Sequence, residues 1–368
     1  MSALILPRDA ARIALDAAAA DRAGWLSVRQ QGLLHRRGWL RMLAPRAAGG
    51  LELPLPEAVR LEEAVAAIDG SMAWVLTLCA GAGWFAGFMP PAVARAIVGT
   101  RRLCVAGSGA VGGVADIEGA GQFDDAATAY RISGRWDYAS GAPMATHLTL
   151  NAVVRRHGQA LLDAQGAPLV RAFIVPRRLV KLTPSWGSMG LRASASHSYT
   201  IEAAAIDGGH GFRIDAASAT APGPLYRFPF MALAFVTLSA NLAGMAAHFL
   251  ALAAPAIGRR RHGASGLPLL QAPGVAERLA QAGAQLAAAR SHFYALLDAA
   301  WHDVAAGATM PAAQSQALEA ASKALVEAAR AAVDGIYPYC GLAAAGDTEI
   351  NRVWRDFHTA TQHSLMLP

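Results

Sequence analysis

Two stretches of this chain, residues 70–94 and 228–258, contain no Asp, Glu, Lys or Arg. They constrain the fold more than any other feature. Each is longer than the roughly 20 residues that cross a bilayer, and a helix apolar on every side must be buried in lipid or in a large core. The first carries Gly81, Gly83, Gly87 and Pro90-Pro91, and the second Ser239, Asn241 and His248, polar groups that are costly in lipid. Small residues recur through both and suit close helix packing. The expectation is therefore no membrane, but two helices inside a protein core or subunit interface, in a homotetramer or dimer. A chain of 368 residues is long enough to build such a core from two or three domains.

Charge excludes other classes. With 54% hydrophobic and 16% charged residues, the chain is neither disordered nor a charged scaffold. The net charge of +6 comes from arginine, because Lys181 and Lys323 are the only lysines. A nucleic-acid binder concentrates its charge on one face or in one run. Here the arginines are scattered, so no nucleic-acid partner is expected, and the dense run Arg259-Arg260-Arg261-His262 offers at most a local anion site. Cys79, Cys104 and Cys340 are far apart in sequence and form no CxxC, which fits a reducing cytoplasm. The apolar run at Leu4–Leu6 is too short for a signal peptide, and its charges follow rather than precede it.

Pattern divides the chain in three. Residues 1–103 read as a helical domain, with residues 57–68 setting Glu62-Glu63 among Ala and Val at helical spacing, after a loop marked by Pro54 and Pro56. Residues 104–215 change to period two with Gly-rich turns. Strands are expected at 128–136, 148–154, 169–175 and 198–206, each bounded by Gly, Pro or Asp. Short strands without intervening helices predict a small antiparallel barrel or sandwich. Residues 216–368 are helical again, with long Ala-rich segments at 274–299 and 312–335. The fold class is α+β: N-terminal helices, a central small β-barrel or sandwich, and a C-terminal four-helix bundle.

Three motifs bear on chemistry. Gly107-Ser108-Gly109-Ala110-Val111-Gly112 satisfies GxGxxG, but a dinucleotide fingerprint needs a helix starting at those glycines, and strand signals follow instead. The segment reads as a Gly-rich loop whose amides turn or face a ligand. His358 and His363 lie about 140° apart on a helix, so they do not chelate one metal, and no metal site is expected. The tail from Gly346 to His363 packs Asp347, Arg352, Arg355 and Asp356 into an otherwise apolar segment, where buried charges need partners. His363 is the natural acid or base if it faces a pocket.

Taken together, three blocks resemble the acyl-CoA dehydrogenase superfamily over nearly the whole chain. They are Gly134-Arg135-Trp136-Asp137-Tyr138-Ala139-Ser140-Gly141, the segment 186–196 (WGSMGLRASAS), and Arg352, Arg355 and Asp356 as R-x-x-R-D. The resemblance places Tyr138, Ala139 and Ser140 against a flavin, Ser140 near its N5, with Ala106, Gly107 and Ser108 on the preceding loop. Asp347 falls where many members carry a catalytic glutamate, one methylene longer. The ending His358-Thr359-Ala360-Thr361-Gln362-His363 is similar to the two-component flavin monooxygenases, whose tail histidine lies at the flavin–substrate site. That branch implies reduced flavin (FADH2 or FMNH2) from a separate reductase, and O2. It implies oxygenation of a small aromatic or apolar substrate through a C4a-(hydro)peroxyflavin. Asp347, Ser140 and His363 are then the catalytic candidates, Trp84 a wall of the substrate pocket, and Arg261 a partner for a flavin phosphate. The alternatives are α,β-oxidation of a thioester with FAD, using Asp347 as base, and a flavin-free binding or assembly homologue.

Overall fold

In the computed structural model, residues 4–119, 121–123 and 125–367 are described. The chain begins with α1 (Pro7–Ala23), α2 (Val28–Arg36), α3 (Leu55–Ala66), α4 (Gly70–Trp84) and α5 (Pro91–Val98). Local chemistry sets their ends. Pro7 opens α1, where no amide bond is lost, and Gly24 closes it in the left-handed region. Ser27 and Gln30 form a capping box on α2. Asp69 caps α4 by accepting the Met72 amide at 3.2 Å. Pro54 caps α3, while Pro56, expected in the loop before it, lies in its first turn.

Eight strands follow among the described residues: β1 (Val105–Ile117), β2 (Ala129–Ala139), β3 (His147–Arg156), β4 (Gln159–Ala160), β5 (Val170–Pro176), β6 (Lys181–Thr183), β7 (His197–Asp207) and β8 (Gly211–Phe212). They form one open sheet in the order β6-β7-β2-β1-β3-β5-β8, with β4 beside β3. Two expectations are corrected. The sheet is mixed rather than antiparallel, because β3 returns on the far side of β1 and runs parallel to it. The GxGxxG segment is part of a strand, not a loop. Its glycines give room to neighbouring strands: a Cβ at Gly112 would stand 2.2 Å from the Arg135 carbonyl oxygen and 2.6 Å from the Trp136 ring. At Gly107 it would stand 2.0 Å from Thr149 Oγ1. Trp136 fills that space, stacks on Tyr199 and donates to the Asn151 carbonyl at 2.9 Å.

The remaining helices are α6 (Phe230–Gly258), α7 (Val275–Ala305), α8 (Ala312–Cys340), the single turn α9 (Leu342–Ala345) and α10 (Glu349–Ala360). Three long helices and the shorter α10 make the expected bundle. The uncharged runs are α4 and α6 with their flanks. Both helical stretches are long and apolar enough to cross a membrane, yet 83% and 78% of the most apolar part of each lies inside the protein. Asn241 on α6 donates to Thr77 on α4 at 3.0 Å, so these helices meet through a polar contact as well. Glu63 on α3 accepts from Arg290 and Tyr294 on α7, both at 2.5 Å. The helices before and after the sheet thus share one apolar core, and the sheet carries a second.

Candidate active site

The three sequence blocks, up to 222 residues apart in sequence (134 to 356), are physically joined. At the end of β2 the Gly141 amide donates to the Ser194 carbonyl at 2.8 Å. Ser140 Oγ lies 2.7 Å from Ser196 Oγ, which lies 2.7 Å from Ser194 Oγ. All three hydroxyls are buried. The 186–196 turn then seats on α10. Asp356 accepts the Leu191 amide at 2.5 Å, Arg355 donates to the Met189 carbonyl, and Ser188 Oγ meets Thr359 Oγ1 at 3.3 Å. A Cβ at Gly190 would overlap the Arg355 backbone, so only glycine lets the turn lie this close.

The tail's charges are accordingly structural. Arg355 pairs with Asp21 of α1 at 2.8 Å, and Arg352 with Glu349 at 3.3 Å. The Asp356 carboxyl is pushed up to about 8, chiefly by burial and then by neighbouring Asp69. Burial likewise raises Asp69, against the pull of Arg352. At neutral pH the Asp356 carboxyl is largely protonated and holds the turn as a neutral group.

Two features stand apart from this structural network. Tyr138 is 72% exposed although aromatic, and its backbone sits at φ 66. A bulky side chain in the left-handed region is an outlier, a kind of strain that clusters at functional sites. Its ring stands edge-on to Trp186, centroids 6.2 Å apart, and Trp186 is fixed by donation to the Leu191 carbonyl at 2.9 Å. The His197 ring also accepts the Trp186 amide at 3.1 Å. On β1 the register with β3 shifts between Gly107 and Val111, where side chains take over from the ladder: Asn151 Nδ2 donates to the Gly109 carbonyl at 2.8 Å and the Ala110 amide donates to Ser108 Oγ at 3.3 Å. The exposed Tyr138 ring offers an aromatic face that a planar ligand could cover.

The second feature is His363, just beyond α10. Its ring packs edge-on against Trp74 of α4, centroids 5.9 Å apart. Burial lowers its pKa below the ordinary histidine value, so the ring is neutral at neutral pH. Its Nδ1 accepts the Leu365 amide at 3.3 Å, which assigns the ring proton to Nε2. His358 turns elsewhere, to Asp334 of α8 at 3.0 Å and the Trp354 ring. Among the described residues, no cluster that could hold a metal is found.

The other sequence candidates are not drawn into this group. Asp347 is exposed in the bend before α10. Arg261 lies in the exposed α6–α7 connection and donates to the Gly266 carbonyl at 2.8 Å. Trp84 is a core residue rather than a pocket wall. Phe88, Tyr226 and Phe230 enclose its indole, and its N–H donates to the Leu225 carbonyl at 3.0 Å. Its apolar context signals burial, which a core and a pocket share. The fold also brings together Cys79 and Cys104, distant in sequence, with sulfurs 3.6 Å apart beneath Ser140. His197 carries no local sequence signal, since its role is set by Trp186 and Ser185 across the turn.

Residues 236–368 match the family described as acyl-CoA dehydrogenase, C-terminal domain. Over its whole length the chain has the architecture of the acyl-CoA dehydrogenase fold. An indole-3-acetate monooxygenase of Pseudomonas putida is 26% identical, covering 89% of this chain and 81% of its own. The oxygenase subunit HsaA of a flavin-dependent monooxygenase from Rhodococcus jostii is 24% identical, covering 90% and 85%. The solved structure of XiaF from Streptomyces, in complex with FADH2 and glycerol, superposes with a TM-score of 0.86 at 19% identity, covering 98% of this chain and 89% of that one.

Proposed function

We propose that this protein is the oxygenase component of a two-component flavin monooxygenase. It takes FADH2 or FMNH2 from a separate reductase and oxygenates a small aromatic or apolar substrate. One observation carries this reading over dehydrogenation: a neutral, Nε2-protonated His363 is packed into the helical core, whereas Asp347 stands in solvent. A base that removes a carbon-bound proton must be held within hydrogen-bond reach of it and desolvated. The exposed Tyr138 platform argues against a flavin-free homologue.

When bound, the reduced flavin supplies the electrons that activate O2. The chain's own residues do the rest. Tyr138 and Trp186 support the planar ring system, and the backbone of Ala106, Gly107, Ser108 and Ala139 borders it. The Ser194–Ser196–Ser140 hydroxyl chain can run in either direction; with Ser194 donating to Ser196 and Ser196 to Ser140, the Ser140 proton would be free for a flavin ring nitrogen. His363, with Nδ1 engaged by the Leu365 amide, would offer its Nε2 proton to the flavin–substrate site, and Trp74, packed on its ring, would help to keep water away. Arg261 is the reading's phosphate contact, supplied across an assembly of two or four chains. The exposed Leu15, Trp25 and Val28 around the α1–α2 connection suit burial in such an assembly. The three buried thiols suit a cytoplasmic enzyme.

The reading is tested with purified protein, a flavin reductase, NADH and a panel of small aromatics that includes indole-3-acetate. Product whose added oxygen derives from 18O2 is expected. Bleaching of bound oxidised flavin by an acyl thioester under anaerobic conditions would instead establish the dehydrogenase reaction. Replacing Ser196 with alanine is expected to weaken flavin binding about tenfold, the worth of one hydrogen bond of about 1–1.5 kcal/mol. Fluorescence titration measures it, and unchanged affinity would remove the hydroxyl relay from the site.

A further inference from the structure

A cavity lies apart from the Tyr138 and His363 features. Where α2 passes into the Gly38 bend and the chain leaves α5 for β1, a recess of about 450 Å³ opens. Arg36 and Arg41 line it from the first segment, Arg101 and Arg102 from the second, and His35 lies among them. Leu34, Leu40 and Leu103, all buried, supply apolar surface. No carboxylate lines the cavity among the described residues.

Adjacent Arg37 shows the contrast, because its guanidinium is taken by Asp9. Among the described residues no ion pair is found for the four cavity arginines. Arg41 donates instead to the Thr100 carbonyl at 2.7 Å and so ties the two segments together. Arg102 is held at φ 55, an uncommon backbone for a side chain of its size. Arg36 lies back over its own helix, where a Cβ at residue 32 would come within 3.0 Å of its Nη1, so Gly32 makes room for it. The field is felt by His35, whose protonation is disfavoured first by burial and then by Arg102 and Arg41. Four like charges around one recess repel one another unless an anion joins them.

We propose that this recess binds a phosphate-bearing small molecule, with its phosphoryl oxygens between Arg41, Arg101 and Arg102 and its organic part on the leucine floor. Guanidinium forks from two sides match a multivalent oxyanion bidentately, whereas a lone carboxylate would leave most of the charge uncompensated. The volume falls within the range of small-molecule sites. This site is independent of the proposed monooxygenase reaction.

Isothermal titration of the full-length protein with inorganic pyrophosphate at 0.15 M salt tests it. Saturable one-site binding is expected, weakened at least tenfold in the double variant Arg101→Gln/Arg102→Gln, whose exposed side chains are not needed for the fold. Replacing two exposed arginines elsewhere, Arg22→Gln/Arg278→Gln, should leave it unchanged. The His35 imidazole, followed by NMR, should titrate at higher pH once pyrophosphate is bound, because an anion favours its charged form. ADP binding more tightly than pyrophosphate would assign the floor to the organic part. Absence of saturable binding, equal affinity in both double variants, or competition between pyrophosphate and FMN or FAD would overturn the proposal. The last would give the recess to the flavin's own phosphate.

Discussion

Replacing His363 with alanine is expected to lower oxygenation by 10²- to 10⁴-fold, the usual range for a positioned proton-transfer group, while reduced flavin still binds within a few-fold. The ring packs on Trp74, and its Nδ1 is engaged by the Leu365 amide, so the group offered to a ligand is the Nε2 proton. Glutamine places an amide N–H near that position. His363→Gln should therefore retain part of the activity that His363→Ala loses. Were His363 a base, glutamine would fail as badly as alanine. Burial depresses the His363 pKa, so the neutral form needed for this role persists through neutral pH. Activity should be level near pH 7 and fall on acidification only below the ordinary histidine value of about 6.5. Steady-state rates of substrate-dependent O2 consumption across pH 5–8 read both effects, and unchanged turnover in His363→Ala would remove the residue from the mechanism.

The largest stability effect is expected at Glu62, remote from that chemistry. Its side chain on α3 is 0% exposed, and neither carboxyl oxygen has a hydrogen-bond partner. Burial pushes the carboxyl up to about 8, opposed only by the nearby Thr77 hydroxyl. The folded state therefore holds this proton where the unfolded chain, at about 4.5, has lost it. Between those values the folded state binds more protons, so stability falls as pH rises and levels off above 8. Glu62→Gln keeps the shape without the ionisation. It should match the parent protein near pH 4.5 and exceed it at pH 9 by several kcal/mol, on the order of 5 from the shift at about 1.4 kcal/mol per unit. Asp356 and Asp69 titrate in the same direction in both proteins, so the difference between parent and variant isolates Glu62. Urea unfolding at the two pH values measures it. A difference that does not change with pH would show that Glu62 is not the titrating group.

Much of the fold is legible in sequence where a signal is local and unopposed. The uncharged runs read as buried helices because α4 and α6 are apolar on every side, and their Gly, Pro, Ser, Asn and His residues favour a protein core over lipid. The alternating strands of the sheet stand within a few residues of where period two places them. β1 is the exception: its glycines carry no alternation, and their role is set by Trp136, Arg135 and Thr149 on neighbouring strands. Nor does any local signal show that β3 pairs parallel to β1. At the site, the R-x-x-R-D tail is legible as a paired cluster because buried charges need partners. Which partners, Leu191 and Asp21, is decided by packing between distant elements. Trp84 misleads for the same reason, since an apolar neighbourhood marks core and pocket alike. The arginine recess could not be read at all, being assembled from segments about 60 residues apart.

The central claim is that this fold receives reduced flavin and turns it toward oxygen. Anaerobic titration with FADH2 and FMNH2, followed by rapid mixing with O2 and observation of flavin absorbance, tests it most directly. Saturable binding of at least one reduced flavin is expected, with reoxidation of the bound form kinetically distinct from that of free flavin. Failure to bind either reduced flavin, or reoxidation identical to that of free flavin, would contradict the claim.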